Sequence, residues 1–122
     1  MSKVKETCRK IHLTDFINNL PHGYDTILDP QGSGLAESTV QKLLVARAIL
    51  NAPKLLLVED NLDAIDEKEK TDIIDFLRDK NNNWTVIAAT KNPYLISNSE
   101  QVIELKNGSI IYDGTPENYK IN

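Results

Sequence analysis

Residues 54–66 read KLLLVEDNLDAID, and this stretch restricts the fold more than any other. Leu55, Leu56, Leu57 and Val58 make an uninterrupted apolar run. Such a run predicts a strand covered on both faces, as in a parallel sheet with helices on either side. The run ends in two adjacent carboxylates, Glu59 and Asp60, and Asp63 and Asp66 follow. Carboxylates at the end of a buried strand are well placed to hold Mg²⁺ beside a phosphate, because that hard cation takes oxygen ligands and keeps some of its waters.

The flanking sequence supplies the rest of an α/β layer. Residues 3–26 predict one or two short helices that end before Pro21 and Gly23. Pro30, Gly32 and Gly34 mark an ordered loop with brief extended pieces. A helix follows over 37–50, with Val40, Leu43, Leu44 and Ala48 as its apolar stripe, and Asn51 and Pro53 stop it. After the acidic strand, Asp66 and Glu69 resemble a capping box for a helix that buries Ile73, Ile74 and Leu77. Asn81, Asn82 and Asn83 form a turn before WTVIAAT (84–90), a second buried strand. Asn92-Pro93 suits an N-cap and first helical turn. QVIEL and SIIYDG flank Lys106-Asn107-Gly108 and predict a hairpin whose turn needs positive φ. Helix, strand, helix, strand and hairpin in that order give parallel central strands with flanking helices. No internal repeat or low-complexity tract interrupts them.

Composition narrows the function classes. At 122 residues the chain suits one domain, and 40% hydrophobic with 26% charged residues is ordinary for a folded protein. A net charge of -4 leaves no electrostatic footprint for nucleic acid. The basic residues Lys3, Lys5, Arg9 and Lys10 read as one solvated helix face. Cys8 is the single cysteine, so no internal disulfide forms and a reducing compartment fits. His12 and His22 sit at no metal-ligand spacing with Cys8, which argues against zinc. No apolar run reaches the roughly 20 residues of a membrane span, and no signal peptide is visible.

Two families share an acidic strand of this kind. LLVEDN resembles the opening strand of response-regulator receiver domains, but four further strand–helix units would have to follow, at roughly 30 residues per unit. Only one more buried strand and a hairpin remain after it, so the receiver reading fails on length. The longer stretch LPHGYDTILDPQGSGLAESTVQKLLVARAILNAPKLLLVEDNLDAID resembles the C-terminal half of the ATP-binding domain of ABC transporters of the exporter type. NLPHGYDTIL, VARAILNAPKLLLVED and VIELKNGSIIYDGTPENY fall in the family's order, and the resemblance covers essentially the whole chain.

The resemblance implies a partial P-loop NTPase fold, with a helical signature region over 1–50 and a magnesium strand, switch strand and hairpin over 51–122. Its phosphate cradle, G-x-x-x-x-G-K-[ST], does not occur in the chain and is expected upstream of Met1. The cradle strand belongs to the same sheet as the two buried strands, so an exposed apolar edge is expected, compensated by self-association or by a mobile region. Where the family has Asp-Glu, for magnesium and for the attacking water, this chain has Glu59 and Asp60. The signature that meets the partner domain's γ-phosphate becomes Leu35, Ala36, Glu37, Ser38 and Thr39. Ala36 removes a hydroxyl, Ser38 adds bulk, and Glu37 brings a negative charge toward a phosphate unless it caps its own helix. AEST also reads simply as a well-capped helix start. Lys91 takes the switch-histidine position and offers a cation without the imidazole's direction. Asp66 keeps the end of the loop that crosses to the partner, and capping explains it equally well. Pro30 replaces a coupling-loop glutamate.

The expectation is therefore a fragment of an ABC exporter, inactive alone, whose longer parent binds ATP and Mg²⁺ and hydrolyses ATP to drive export. The chain itself is expected to bind neither tightly. The parent's partners would be a membrane-spanning domain and a second ATP-binding domain, at the cytoplasmic face, with no nucleic acid and no membrane insertion by this chain. A degenerate ABC-like module that binds or regulates without hydrolysis is the alternative.

Overall fold

The computed structural model describes residues 1–59 and 62–120 and begins with two helices. α1 (Ser2–Lys10) and α2 (Thr14–Asn18) meet at a sharp corner formed by Ile11, His12 and Leu13. His12 sits there at φ 60°, in the left-handed region that a side chain tolerates only when its surroundings enforce it. Burial on both sides enforces it: Ile11 is 0% exposed and Leu13 1%. The Leu13 N–H also donates to the Cys8 carbonyl at 2.8 Å. Lys3, Lys5 and Arg9 are exposed, as the sequence predicts, while Lys10 lies over the Phe76 ring, 4.9 Å from its centroid.

The loop before residue 37 leads into α3 (Glu37–Leu50), which has the predicted bounds but a different buried face. Lys42, Ala46 and Ile49 face the core, while Leu44 and Ala48 of the predicted stripe are exposed. The helix is apolar around much of its circumference, so hydrophobicity alone does not select the side that meets α1. The stripe at i, i+4 and i+7 does so, and a lysine is part of it.

β1 (Leu55–Glu59) pairs in parallel with β2 (Thr85–Ala89), from Leu55 opposite Thr85 to Glu59 opposite Ala89. The parallel pairing agrees with the sequence, but burial on both faces does not. Leu56 is buried, whereas Leu55 and Leu57 are 50% and 70% exposed, and Ile87 on β2 is 57% exposed. One face packs on the helices and the other is bare among the described residues. The continuous apolar run thus encodes a covering for both faces of which these residues supply one.

α4 (Glu67–Leu77) makes the crossover between the two strands. Its start is capped by Asp66, whose Oδ2 accepts the Glu69 N–H at 3.3 Å. At its far end, Asn82 Nδ2 donates to the Phe76 carbonyl at 2.6 Å and Trp84 Nε1 to the Leu77 carbonyl at 2.7 Å. Carbonyls that the helix leaves without an internal partner are thereby satisfied by the turn that follows. The Trp84 ring meets Phe76 edge-on. Ile73, Ile74 and Leu77 are buried as predicted, and Ile73 joins Ile11, Leu13, Ile49 and Leu56 in one core. Each such side chain contributes roughly 1.5–3 kcal/mol when fully buried.

α5 (Pro93–Ser97) begins at Asn92, which accepts the Tyr94 and Leu95 N–H groups on its side chain. β3 (Val102–Lys106) and β4 (Ser109–Gly114) form the predicted hairpin. Asn107 and Gly108 sit at φ 51° and 80°, the two successive positive values that a type I′ turn demands. The hairpin and the β1–β2 pair are separate two-stranded sheets. Among the described residues, no helix is long and apolar enough to cross a membrane.

Candidate functional site

Parallel pairing sets β1 and β2 to end at the same edge. Glu59 closes β1 directly opposite Ala89, so the residues that follow each strand emerge side by side. Carboxyl ends of parallel strands are where α/β proteins gather ligand-binding groups. Glu59 is exposed there, and Asp60 lies outside the described residues. After β2, Thr90 and Lys91 form the turn into α5; Thr90 Oγ1 accepts the Asn92 N–H at 2.9 Å, and Lys91 is exposed. The fold therefore brings Glu59 and the Lys91 turn to one edge.

The first turns of α3 approach the same edge through Gln41. Its Nε2 donates to Asp63 Oδ1 at 3.3 Å, which ties α3 to the loop after β1. Gln41 and Glu59 also share a groove of about 170 Å³ between α3 and β1, walled by Leu44, Val45, Ala48 and Leu57. Gln41 Oε1 is buried without a hydrogen-bond partner among the described residues.

The residues Leu35, Ala36, Glu37, Ser38 and Thr39 lie at the start of α3, following tight turns in which Gly32 and Gly34 take φ 73° and 80°. Ala36 is the N-cap, and no side chain caps the helix. Two readings are corrected by this: AEST is not a well-capped start, and Glu37 does not turn back to cap its own helix. Alanine has no acceptor to offer, and Glu37 lies within the first helical turn. The local role of Asp66 is observed directly, since its carboxylate is engaged with the Glu69 amide.

Electrostatics add a tether beside the site. The Tyr94 hydroxyl donates to Asp75 Oδ1 at 2.6 Å, fastening α5 to α4. That hydrogen bond, followed by desolvation and the charge of Asp75, raises the phenol's pKa above its ordinary value. Arg78 also pairs with Asp75, at 3.2 Å.

Sequence reasoning missed a second polar cluster on α4. His12 Nε2 lies 2.9 Å from Asp72 Oδ2, and His12 Nδ1 4.0 Å from Glu69 Oε1. Lys42 pairs with Glu69 and donates to the His12 carbonyl at 3.3 Å. The available signal was the spacing of Glu69 and Asp72, which share a helix face at i and i+3.

No protein-family model matches the chain, but individual proteins do. ABC transporter 1 of Ajellomyces capsulatus is 31% identical over 128 aligned residues, covering 99% of the chain and 10% of that protein. A multidrug efflux ATP-binding/permease protein of Mycobacterium bovis is 29% identical over 115 residues, covering 94% of the chain and 10% of that protein. Among solved structures, a bacterial Atm1-family ABC exporter with ATP bound superposes with a TM-score of 0.83 at 26% identity, over 95% of the chain and 20% of the exporter.

The chain is related to ABC transporters along nearly its whole length. More particularly, it corresponds to a segment of an ABC exporter, as expected from the sequence. It spans about a tenth of the length of these curated relatives and a fifth of the solved chain.

Proposed function

We propose that the chain is the C-terminal part of an ATP-binding domain with the P-loop NTPase fold, within an ABC exporter that couples ATP hydrolysis to outward transport. The observation that carries this reading is the TM-score of 0.83 over 95% of the chain against a segment of an ATP-bound exporter. Residues 1–50 would form the helical signature part, and 51–122 the magnesium strand, switch strand and hairpin. A cradle strand would enter the sheet that β1 and β2 begin, and its neighbours would cover Leu55, Leu57 and Ile87.

In this reading Glu59 approaches Mg²⁺ through water, Asp60 orients the attacking water, and Lys91 presents a cation to the γ-phosphate. Leu35, Ala36, Glu37, Ser38 and Thr39 face the partner domain's nucleotide, and Asp66 ends the loop that crosses to it. The partners are a membrane-spanning domain and a second ATP-binding domain, at the cytoplasmic face of the membrane.

The described residues do not by themselves fit a tight Mg²⁺–ATP site. Ala36 offers no hydroxyl, Glu37 adds negative charge at the helix start, and Asp66 is engaged with its own helix. In this reading tight nucleotide binding and hydrolysis belong to the longer protein, where the cradle and the partner domain complete the site.

Calorimetric titration of the isolated chain with Mg²⁺–ATP should give no saturation up to about millimolar concentration. The longer protein should turn over ATP and lose turnover on Asp60→Asn. A longer reading frame without the G-x-x-x-x-G-K-[ST] cradle and without apolar spans of roughly 20 residues overturns the reading.

A further inference from the structure

Lys91 is held between two anchors. On one side β2 stops at Ala89, paired with Glu59, the last residue of β1. On the other, Asn92 caps α5: its Oδ1 accepts the Tyr94 and Leu95 N–H groups at 2.9 and 3.2 Å, and its own N–H donates to Thr90 Oγ1. The strand ladder fixes the first anchor, so the place of Lys91 beside Glu59 follows the placement of α5. That helix packs incompletely on the core. Leu95, half-buried, borders a hollow of about 20 Å³ with Val58, Leu62, Ile74 and Val86. A polar bond holds it instead. The Tyr94 hydroxyl donates to Asp75 Oδ1 at 2.6 Å, the length of a charge-assisted bond from a hydroxyl to a carboxylate. Arg78 Nε donates to the same oxygen at 3.2 Å, and α4 is rooted in the core through Ile73, Ile74 and Leu77.

We propose that Tyr94 is a positioning residue: through Asp75 it seats α5 on α4 and so holds the Lys91 turn at the carboxyl ends of β1 and β2. This role rests on the ATP-hydrolysis reading above, in which Lys91 presents its cation to the γ-phosphate. Tyr94 acts through Lys91 and not on the phosphate. A lysine is a point charge on a flexible stem, so what it can reach depends on where its backbone starts. Small misplacements of such a group cost rate. They cost the chemical step more than ATP affinity, because the charge that Lys91 answers develops in the transition state. The Tyr94–Asp75 bond is partly exposed, so its loss loosens the turn rather than displacing it outright.

The test is steady-state ATP hydrolysis by the longer protein, with amide hydrogen exchange of the 122-residue chain beside it. Tyr94→Phe removes only the hydroxyl. It should lower kcat about two- to five-fold and leave KM for ATP unchanged. Asp75→Ala should do the same, whereas Asp75→Asn keeps an acceptor oxygen and should retain most of the turnover. On the residual turnover of Lys91→Ala, Tyr94→Phe should have no further effect, because the residue through which it acts is gone. In the 122-residue chain, Tyr94→Phe should speed exchange of the 94–98 amides about two- to five-fold and leave β2 as in the wild type. Wild-type kcat in Tyr94→Phe, an equal loss with and without Lys91, or unchanged exchange over 94–98 overturns the proposal while Asp60→Asn still abolishes turnover. Turnover that survives Asp60→Asn overturns the underlying reading, and the proposal with it.

Discussion

At the scale of single residues, Cys8 shows how burial sets chemistry. It is 4% exposed, and desolvation pushes its thiol pKa above the ordinary 9.0, with a hydrogen bond to Tyr24 pulling the other way. A thiol whose folded pKa is raised favours the folded state fully below the unfolded value. That contribution is lost as pH climbs through the folded value. The urea midpoint of the chain should therefore fall between pH 8 and 10. At pH 8, iodoacetamide should label Cys8 at least about tenfold more slowly in native than in unfolded chain; equal rates would contradict the burial. The solitary thiol is legible in the sequence, but its environment is not. Lys42 is harder still. A lysine in an apolar helix reads as solvated, yet here its ammonium meets Glu69 beside the core and its stem lies along apolar surface.

At the scale of elements, the junctions are more legible than the faces. Asp66, Asn92 and the Asn107-Gly108 turn act through local backbone chemistry, and each does in the structure what its neighbours in sequence predict. The buried face of α3 and the covering of β1 and β2 depend on what packs against them, which lies far away in sequence. One junction carries avoidable strain. Ala52, past the end of α3, sits at φ 49°, and its N–H bonds the Ile49 carbonyl at 3.1 Å. Glycine is the residue that suits this position, where a Cβ costs energy. Ala52→Gly should stabilise the chain by about 1 kcal/mol, read as a higher urea midpoint with unchanged slope. A lower midpoint would show that the left-handed corner is not strained.

At the scale of the whole molecule, the dominant feature is apolar surface left uncovered among the described residues. Leu55, Leu57 and Ile87 share the bare face of one sheet, while Ile103, Leu105 and Ile110 are exposed on the hairpin. Exposed patches of this kind drive association. Sedimentation of the isolated chain should show species larger than the monomer as concentration rises, and Leu57→Lys with Ile87→Lys should suppress them. A monodisperse wild type at every concentration would contradict this. The two sheets also differ in how their partners meet. Lys106 finds Ser109 across a tight turn, whereas Leu55 must wait for Thr85 across the whole of α4. Closing the longer loop costs more chain entropy, while a hairpin closes within about 1–10 μs. Chain entropy therefore favours closure of the C-terminal ribbon over that of the β1–β2 pair, whose exposed leucines come together only across the length of α4.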